Sequence, residues 1–276
     1  MNRAHKPSSS RILSSELGLR VVSAIVLIVI VVAAAWAGGT AFKLICAVLS
    51  ALVFYEWQMM VSRTPFNMPE AVLTGGFGLM LLAALFGGFG WALALFVVLG
   101  LALELTHHGR ERSEIRWIGI GALYCIIAAI ALPAIREVGG FLGIKLIFFL
   151  FLLVWVTDIA AYFTGRSIGG PKILPAISPK KTWSGSIGGM LGAIVVGALF
   201  GIWVDEFAFW TSTIAAAVLS VTAQAGDFFE SWVKRLHGVK DSSHLIPGHG
   251  GFLDRVDGLI AAALPVAVVV GLNQAV

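Results

Sequence analysis

Charge is scarce in this sequence. Asp, Glu, Lys and Arg make up 12% of its 276 residues, against 58% hydrophobic ones, and the mean hydropathy is +0.93. Soluble domains carry about 25% charged residues, so this composition excludes one of them. Cysteine is scarcer still: Cys46 and Cys125 both lie in apolar runs, where a thiol behaves as a small hydrophobe. That excludes a disulfide framework and a cysteine metal site. Also missing are the short segments of alternating hydrophobicity that build a transmembrane barrel. No strand runs into a glycine-rich turn ending in Lys-Ser/Thr, as a phosphate-cradling loop requires. What is present is long apolar runs, and in lipid these fold as helices, because each unpaired backbone amide costs several kcal/mol there.

Runs long enough to span a bilayer fall at 21–37, 41–61, 71–87, 89–105, 115–133, 141–163, 184–204, 208–226 and 257–273. The expected fold is therefore all-α, a polytopic membrane protein of about nine helices. Ala35-Trp36-Ala37 has the small-x-small form of a signal cleavage site. The run before it is long enough to span, however, and eight more follow, so a retained first helix is expected. Sixteen of the nineteen Lys/Arg residues fall in alternate connections, leaving only Lys43, Arg136 and Lys145 for the other side. By the positive-inside rule the N-terminus is cytoplasmic and the C-terminus outside. The chain then divides into a cytoplasmic tail over 1–20, N-terminal helices over 21–150 and a C-terminal region over 151–276, with cytoplasmic loops at 164–184 and 227–256. Glycines such as Gly75-Gly76-x-Gly78 and Gly188-Gly189-x-x-Gly192 read as close helix packing.

The little charge there is has been gathered into Gly226 to Gly258. Those 33 residues hold five of fifteen acids, four of nineteen bases and three of six histidines. Asp227, Glu230 or Ser231, and Lys234 fall on one face if the eighth helix continues. Asp254 and Asp257, three apart where the last helix starts, either cap that helix or, with Asp227, form a hard oxygen site suited to Mg2+. His249 sits in a turn too rich in glycine and proline for a helix, as a base, a ligand or a structural hydrogen-bonding group. Glu56 and Glu104 fall near span ends and read as interfacial. Asp158 lies within its span, four residues from Tyr162 on one face. The loop after it carries Arg166, Lys172, Ser178, Lys180, Lys181 and Thr182, which suit either anionic headgroups or a bound polyphosphate.

The run Ser231-x-x-Lys234-Arg235-x4-Lys240-Asp241-x5-Pro247-x-His249-Gly250-Gly251-x-x-Asp254-Arg255-x-Asp257 closely resembles the signature of the phosphatidate cytidylyltransferases. Asp158-x-x-Ala161-Tyr162-x-x-Gly165-Arg166 and Ser178-Pro179-Lys180-Lys181-Thr182-Trp183 resemble that family's other motifs, so the likeness covers the C-terminal half. Two positions depart from the pattern: Ser184, where many members have Glu, and Gly170, where Lys is common.

The resemblance implies transfer of a cytidylyl group from CTP to phosphatidate, forming CDP-diacylglycerol and pyrophosphate for phospholipid synthesis. It implies a bacterial cytoplasmic (inner) membrane protein with its active site facing the cytoplasm. The expected cofactors are Mg2+ and a second cation such as K+. The partners are the two substrates and membrane lipid, with no nucleic acid and with a homodimer as an allowed assembly. Asp227, Lys234, Arg235, Asp241, His249, Asp254 and Asp257 are the expected catalytic residues, with Asp227, Asp254 and Asp257 on the metal. Asp158, Tyr162, Arg166, Ser178, Lys180, Lys181, Thr182, Ser231, Lys240 and Arg255 are expected to bind substrate. A CTP-dependent lipid-alcohol kinase would need similar groups and is the nearest alternative. An ion-coupled transporter with Asp158 as its ion site is a more distant one.

Overall fold

A computed structural model describes residues 9–62, 67–87, 89–243, 245–246 and 250–274. Among them the chain forms nine helices: α1 (Ser9–Ala37), α2 (Gly39–Val61), α3 (Met68–Phe86), α4 (Phe89–Thr106), α5 (Gly109–Arg136), α6 (Leu142–Ile168), α7 (Trp183–Trp203), α8 (Phe209–Leu236) and α9 (Leu253–Gln274). Seven of them, all but α1 and α8, are long and apolar enough to cross a membrane, and in α1 the apolar part is the 17 residues Val21–Ala37. The protein is an integral, polytopic, all-α membrane protein.

The helices overrun the spans that hydropathy marks. α1 starts at Ser9, inside the stretch expected to be a tail, and α6 and α8 run on to Ile168 and Leu236. The loops are accordingly 169–182 and 237–252, shorter than 164–184 and 227–256. Hydropathy marks where a helix enters lipid, whereas backbone hydrogen bonding carries it past that point.

Successive helices run in opposite senses, which gives the bundle two ends. At one end lie the three bases that interrupt the charge asymmetry, each engaged. Lys43 pairs with Glu137 at 2.6 Å and Lys145 with Glu206 at 2.6 Å, while Arg136 donates to the carbonyls of Ala35 and Trp36 that close α1. The Lys145 ammonium also holds the Glu206 carboxyl below the usual carboxylate range.

Two hydrophobic cores share the helices. One joins α1, α2, α5 and α6 to α7, α8 and α9; the other gathers around Trp57 of α2 with residues of α3, α4, α5, α8 and α9. Cys46 and Cys125 are both free and buried, in keeping with a packing role. Of the glycine clusters, Gly189 and Gly192 do bring α7 onto α6: added methyls would fall 2.8 Å from the Thr157 carbonyl oxygen and 2.9 Å from the Ala160 Cβ. Gly75 and Gly78 meet nothing within 4 Å, and only Gly76 of that trio contacts another helix.

α8 is not among the seven apolar helices, and its inward side is polar. Ser212 donates to the Gly197 carbonyl at 2.9 Å, Thr157 to Ser220 at 3.1 Å, and Ser186 to Gln224 at 2.5 Å. These bonds tie α6, α7 and α8 together where lipid offers no hydrophobic drive.

The Trp57 ring is fully buried and its indole N–H donates to the Trp117 carbonyl at 2.8 Å, so it cannot swing aside. A methyl added at Gly121 would lie 2.1 Å from Trp57 Nε1, whereas one at Gly119 meets nothing within 4 Å. Gly121→Ala should therefore cost about 1–3 kcal/mol, read as a lowered Tm in detergent. Gly119→Ala should leave the Tm at or above wild type.

Candidate functional site

At the other end of the bundle the last turns of α6 and α8 meet the first turns of α7 and α9. α8 and α9 are in near backbone contact there: a methyl on Gly226 would lie 2.5 Å from the Ala261 Cβ and 2.8 Å from the Asp257 carbonyl oxygen. Only glycine permits that approach, and it sets Asp227 beside Asp257. Glu230, one turn along α8, completes a trio whose members each offer an oxygen within 4.8 Å of the others. Asp257 and Glu230 are buried, and Asp227 is half-buried.

The trio is only partly neutralised by protein. Lys181 forms an ion pair with Asp227 and lies 4.3 Å from the centre of the Phe228 ring. Lys234 Nζ is 2.6 Å from Glu230 Oε2 and 2.6 Å from Asp254 Oδ1. Glu230 Oε1 is buried and receives no hydrogen bond. A buried carboxylate oxygen left without a partner is costly, and three converging acids repel one another. The donor set is all hard oxygen, so these residues fit a divalent cation such as Mg2+.

Asp254 is not one of the three, although its carboxyl also meets that of Glu230. Its Oδ1 takes Lys234, and its Oδ2 accepts from the Ser242 backbone N–H at 3.2 Å, the Ser242 hydroxyl at 2.9 Å and the Gly251 N–H at 3.0 Å. Of the three expected metal ligands, the structure thus gathers Asp227 and Asp257 with Glu230, and occupies Asp254 with Lys234 and the turn before α9. In the sequence Glu230 and Ser231 compete for one position on α8. The helix buries Glu230, 1% exposed, and leaves Ser231 off the cavity wall.

Loop 169–182 is held close to this end. Lys172 and Thr182 pair as an antiparallel bridge, Ile173 N–H donates to the Lys181 carbonyl at 3.2 Å, and Thr182 caps α7 by accepting from the Gly185 N–H at 3.1 Å. The two departures from the family pattern meet at one turn, Gly170 within it and Ser184 at the start of α7. Gly170 has φ 102, a conformation that would strain a lysine. Ser184 donates to the Gly169 carbonyl and lies 3.0 Å from the Thr182 hydroxyl, so it fastens that turn to α7.

One cavity of about 1350 Å3 joins these groups. From the first motifs Asp158, Tyr162, Arg166, Lys180, Lys181 and Thr182 line it, and from the second Asp227, Lys234, Asp254, Arg255 and Asp257. Arg166 also donates to the Tyr162 hydroxyl at 2.7 Å. Five expected residues do not line it. Arg235 instead donates to the Ile177 carbonyl at 3.2 Å, tying α8 to the loop, and Ser178 accepts from the Lys181 N–H at 3.4 Å, within the loop. Ser231 is half-buried, and Lys240 and Asp241 are exposed. His249 lies outside the described residues. Glu230 and Gln224 line the cavity although no sequence motif marked either of them firmly. The cavity continues along an apolar wall that includes Leu27, Ile28 and Val31 of α1 and Val48, Leu49 and Leu52 of α2.

This arrangement can hold a strongly anionic group at one end and hydrocarbon at the other. A phosphatidate cytidylyltransferase of Brucella suis biovar 1 is 42% identical over 256 residues, covering 90% of this chain and 91% of that protein. Shorter matches come from the phosphatidate cytidylyltransferases of Staphylococcus saprophyticus, 44% identical over 140 residues (47% of this chain, 54% of that one), and Haemophilus influenzae, 46% over 125 residues (44% and 43%). The description "Cytidylyltransferase family" fits residues 18–272, a stretch that takes in the acid trio, the basic loop and all nine helices in whole or part, and the chain belongs to that family.

Proposed function

We propose that this protein transfers the cytidylyl group of CTP to phosphatidate, forming CDP-diacylglycerol and pyrophosphate. The observation that carries the reading is the single cavity, charged at the bundle end and apolar along α1 and α2. A nucleotide triphosphate and a lipid headgroup can share its polar part while acyl chains stay in hydrocarbon. The family membership and the relatives' names support the same activity.

In the reaction an oxygen of the phosphatidate phosphate attacks the α-phosphorus of CTP, and the bond from that phosphorus to the pyrophosphate oxygen breaks. The attacking phosphate is already ionised at neutral pH, so neither a protein nucleophile nor a strong general base is required. Catalysis then rests on positioning and on charge. Lys181, held against Asp227, and Arg166, held by Tyr162, present fixed cations to phosphate oxygens. Lys234 fixes Glu230 Oε2 and leaves Oε1 for another partner. Asp227, Glu230 and Asp257 are the residues that would hold Mg2+, which when bound neutralises triphosphate oxygens and the leaving pyrophosphate.

We place this end of the bundle in the cytoplasm of a bacterial inner membrane. Support comes from the bias of 16 of 19 basic residues, and from the neutralisation or backbone capping of the three exceptions at the opposite end.

Purified protein in phosphatidate micelles tests the reaction. Label from α-labelled CTP should enter lipid and label from γ-labelled CTP should leave as pyrophosphate. Transfer of the γ label to lipid would instead identify a CTP-dependent kinase. Sidedness is tested in a Cys46→Ala, Cys125→Ala background, where Lys180→Cys should react with an impermeant thiol reagent only from the cytoplasmic side and Asp205→Cys only from the other. Labelling of position 180 from outside would contradict the assignment.

A further inference from the structure

Glu56 is fully buried near the end of α2, far in sequence from every motif, yet its carboxylate is filled by the signature segment. Its Oε1 accepts from the Ser243 hydroxyl at 2.6 Å and the Phe252 N–H at 2.8 Å. Its Oε2 accepts from the Leu253 N–H at 2.7 Å and the Ser242 hydroxyl at 3.1 Å. The four donors belong to Ser242, Ser243, Phe252 and Leu253, before and at the start of α9, and lie 186 to 197 residues from Glu56 in sequence. The backbone also passes close at Gly251: a methyl there would lie 2.6 Å from Glu56 Oε2 and 1.9 Å from the Ser242 hydroxyl.

The contacts continue inward from the same residues. The single hydroxyl proton of Ser242 faces both Glu56 Oε2, at 3.1 Å, and Asp254 Oδ2, at 2.9 Å. Asp254 holds Lys234, Lys234 holds Glu230, and Leu253, whose N–H ends on Glu56, opens the helix that carries Asp257. An interfacial acid would point to water. This one instead accepts the backbone N–H groups at the start of a helix, where nothing within the helix can accept them.

We infer that Glu56 is a positioning residue for the reaction. It clamps Ser242, Ser243 and the start of α9, and so fixes the spacing between Asp257 and the Asp227, Glu230 pair. The inference rests on the reading of that trio as the cation-holding centre of a cytidylyltransferase. Glu70 offers a comparison, since it is also buried, 3% exposed, but among the described residues its bonds stay in its own neighbourhood. It accepts from the Ser62 hydroxyl at 2.6 Å and closes a capping box with Asn67 at the start of α3.

The test compares wild type, Glu56→Gln, Ser243→Ala and Glu70→Gln as full-length protein in detergent. A glutamine keeps the shape of Glu56 but turns one acceptor oxygen into a donor facing the Phe252 or Leu253 N–H. Hydrogen exchange at those two amides should quicken at least about tenfold in Glu56→Gln, and the Mg2+ concentration for half-maximal cytidylyl transfer should rise about tenfold or more. The KM for phosphatidate should stay within a factor of about two of wild type, because the apolar wall is untouched. Ser243→Ala, which removes one donor of four, should shift both readouts in the same direction by less. Glu70→Gln should shift neither, whatever it does to the Tm.

Wild-type exchange at 252 and 253 in Glu56→Gln would overturn the inference. So would a lower rate with an unchanged Mg2+ midpoint, which marks simple loss of folded protein. If Glu56→Gln cannot be purified, an unchanged Mg2+ midpoint in Ser243→Ala overturns it. A wild-type protein that transfers no cytidylyl group would refute the proposed function, and the exchange comparison would still decide whether Glu56 clamps the start of α9.

Discussion

The near contact of α8 and α9 at Gly226 is the constraint on which the rest of the site depends. It forces Asp227 and Asp257 together, with Glu230 beside them, in surroundings that are mostly hydrocarbon. Bringing like charges into such a place costs several kcal/mol unless opposite charge is supplied, and the protein supplies it on two sides. Lys181 comes from the loop before α7 and Lys234 from the last turns of α8 itself. Each lysine belongs to a motif that looked separate in sequence, and the acids they neutralise are what make those motifs one site. What the lysines leave open is the buried Glu230 Oε1.

Such a site can exist inside a membrane protein because it is built at helix ends. Backbone N–H groups left unpaired at the starts of α7 and α9 are taken up by Thr182, Asp254 and Glu56, and the carboxylates are in turn satisfied by those donors. Hydrogen bonding continues into the bundle between helices, as with Thr157 and Ser220 or Ser186 and Gln224, and Asp158 beside Thr157 lines the cavity. Beside it the apolar wall of α1 and α2 offers a lipid's chains a surface of the same character as the bilayer.

Much of this was legible in the sequence. Hydropathy located all nine helices, because the requirement to bury some twenty apolar residues per span leaves few other readings. It could not mark where helices end outside lipid, which is why α6 and α8 extend further than expected and the loops are shorter. The motifs located the acids, since charge in so apolar a chain has few other purposes. Spacing could not decide between Glu230 and Ser231, because the two differ by 100° around a helix whose rotation is set by packing, with Gly226 against Ala261. Nor could it show that Asp254 is occupied by Lys234 and by backbone amides, or that Glu56 reaches across almost two hundred residues. Those are tertiary contacts with no local periodicity. Ser184 and Gly170, odd when set against a family pattern, become intelligible once Ser184 at the start of α7 is seen to bond the turn that holds Gly170.

On the proposed function, the three carboxylates from α8 and α9 would hold one divalent cation. Binding of Mn2+, as a paramagnetic substitute for Mg2+, can be followed by electron paramagnetic resonance on purified protein without nucleotide, which separates the site from turnover. Wild type should bind Mn2+ saturably, and both Glu230→Gln and Asp257→Asn should weaken that binding by about tenfold to a hundredfold. Unaltered Mn2+ affinity in both variants would contradict the account.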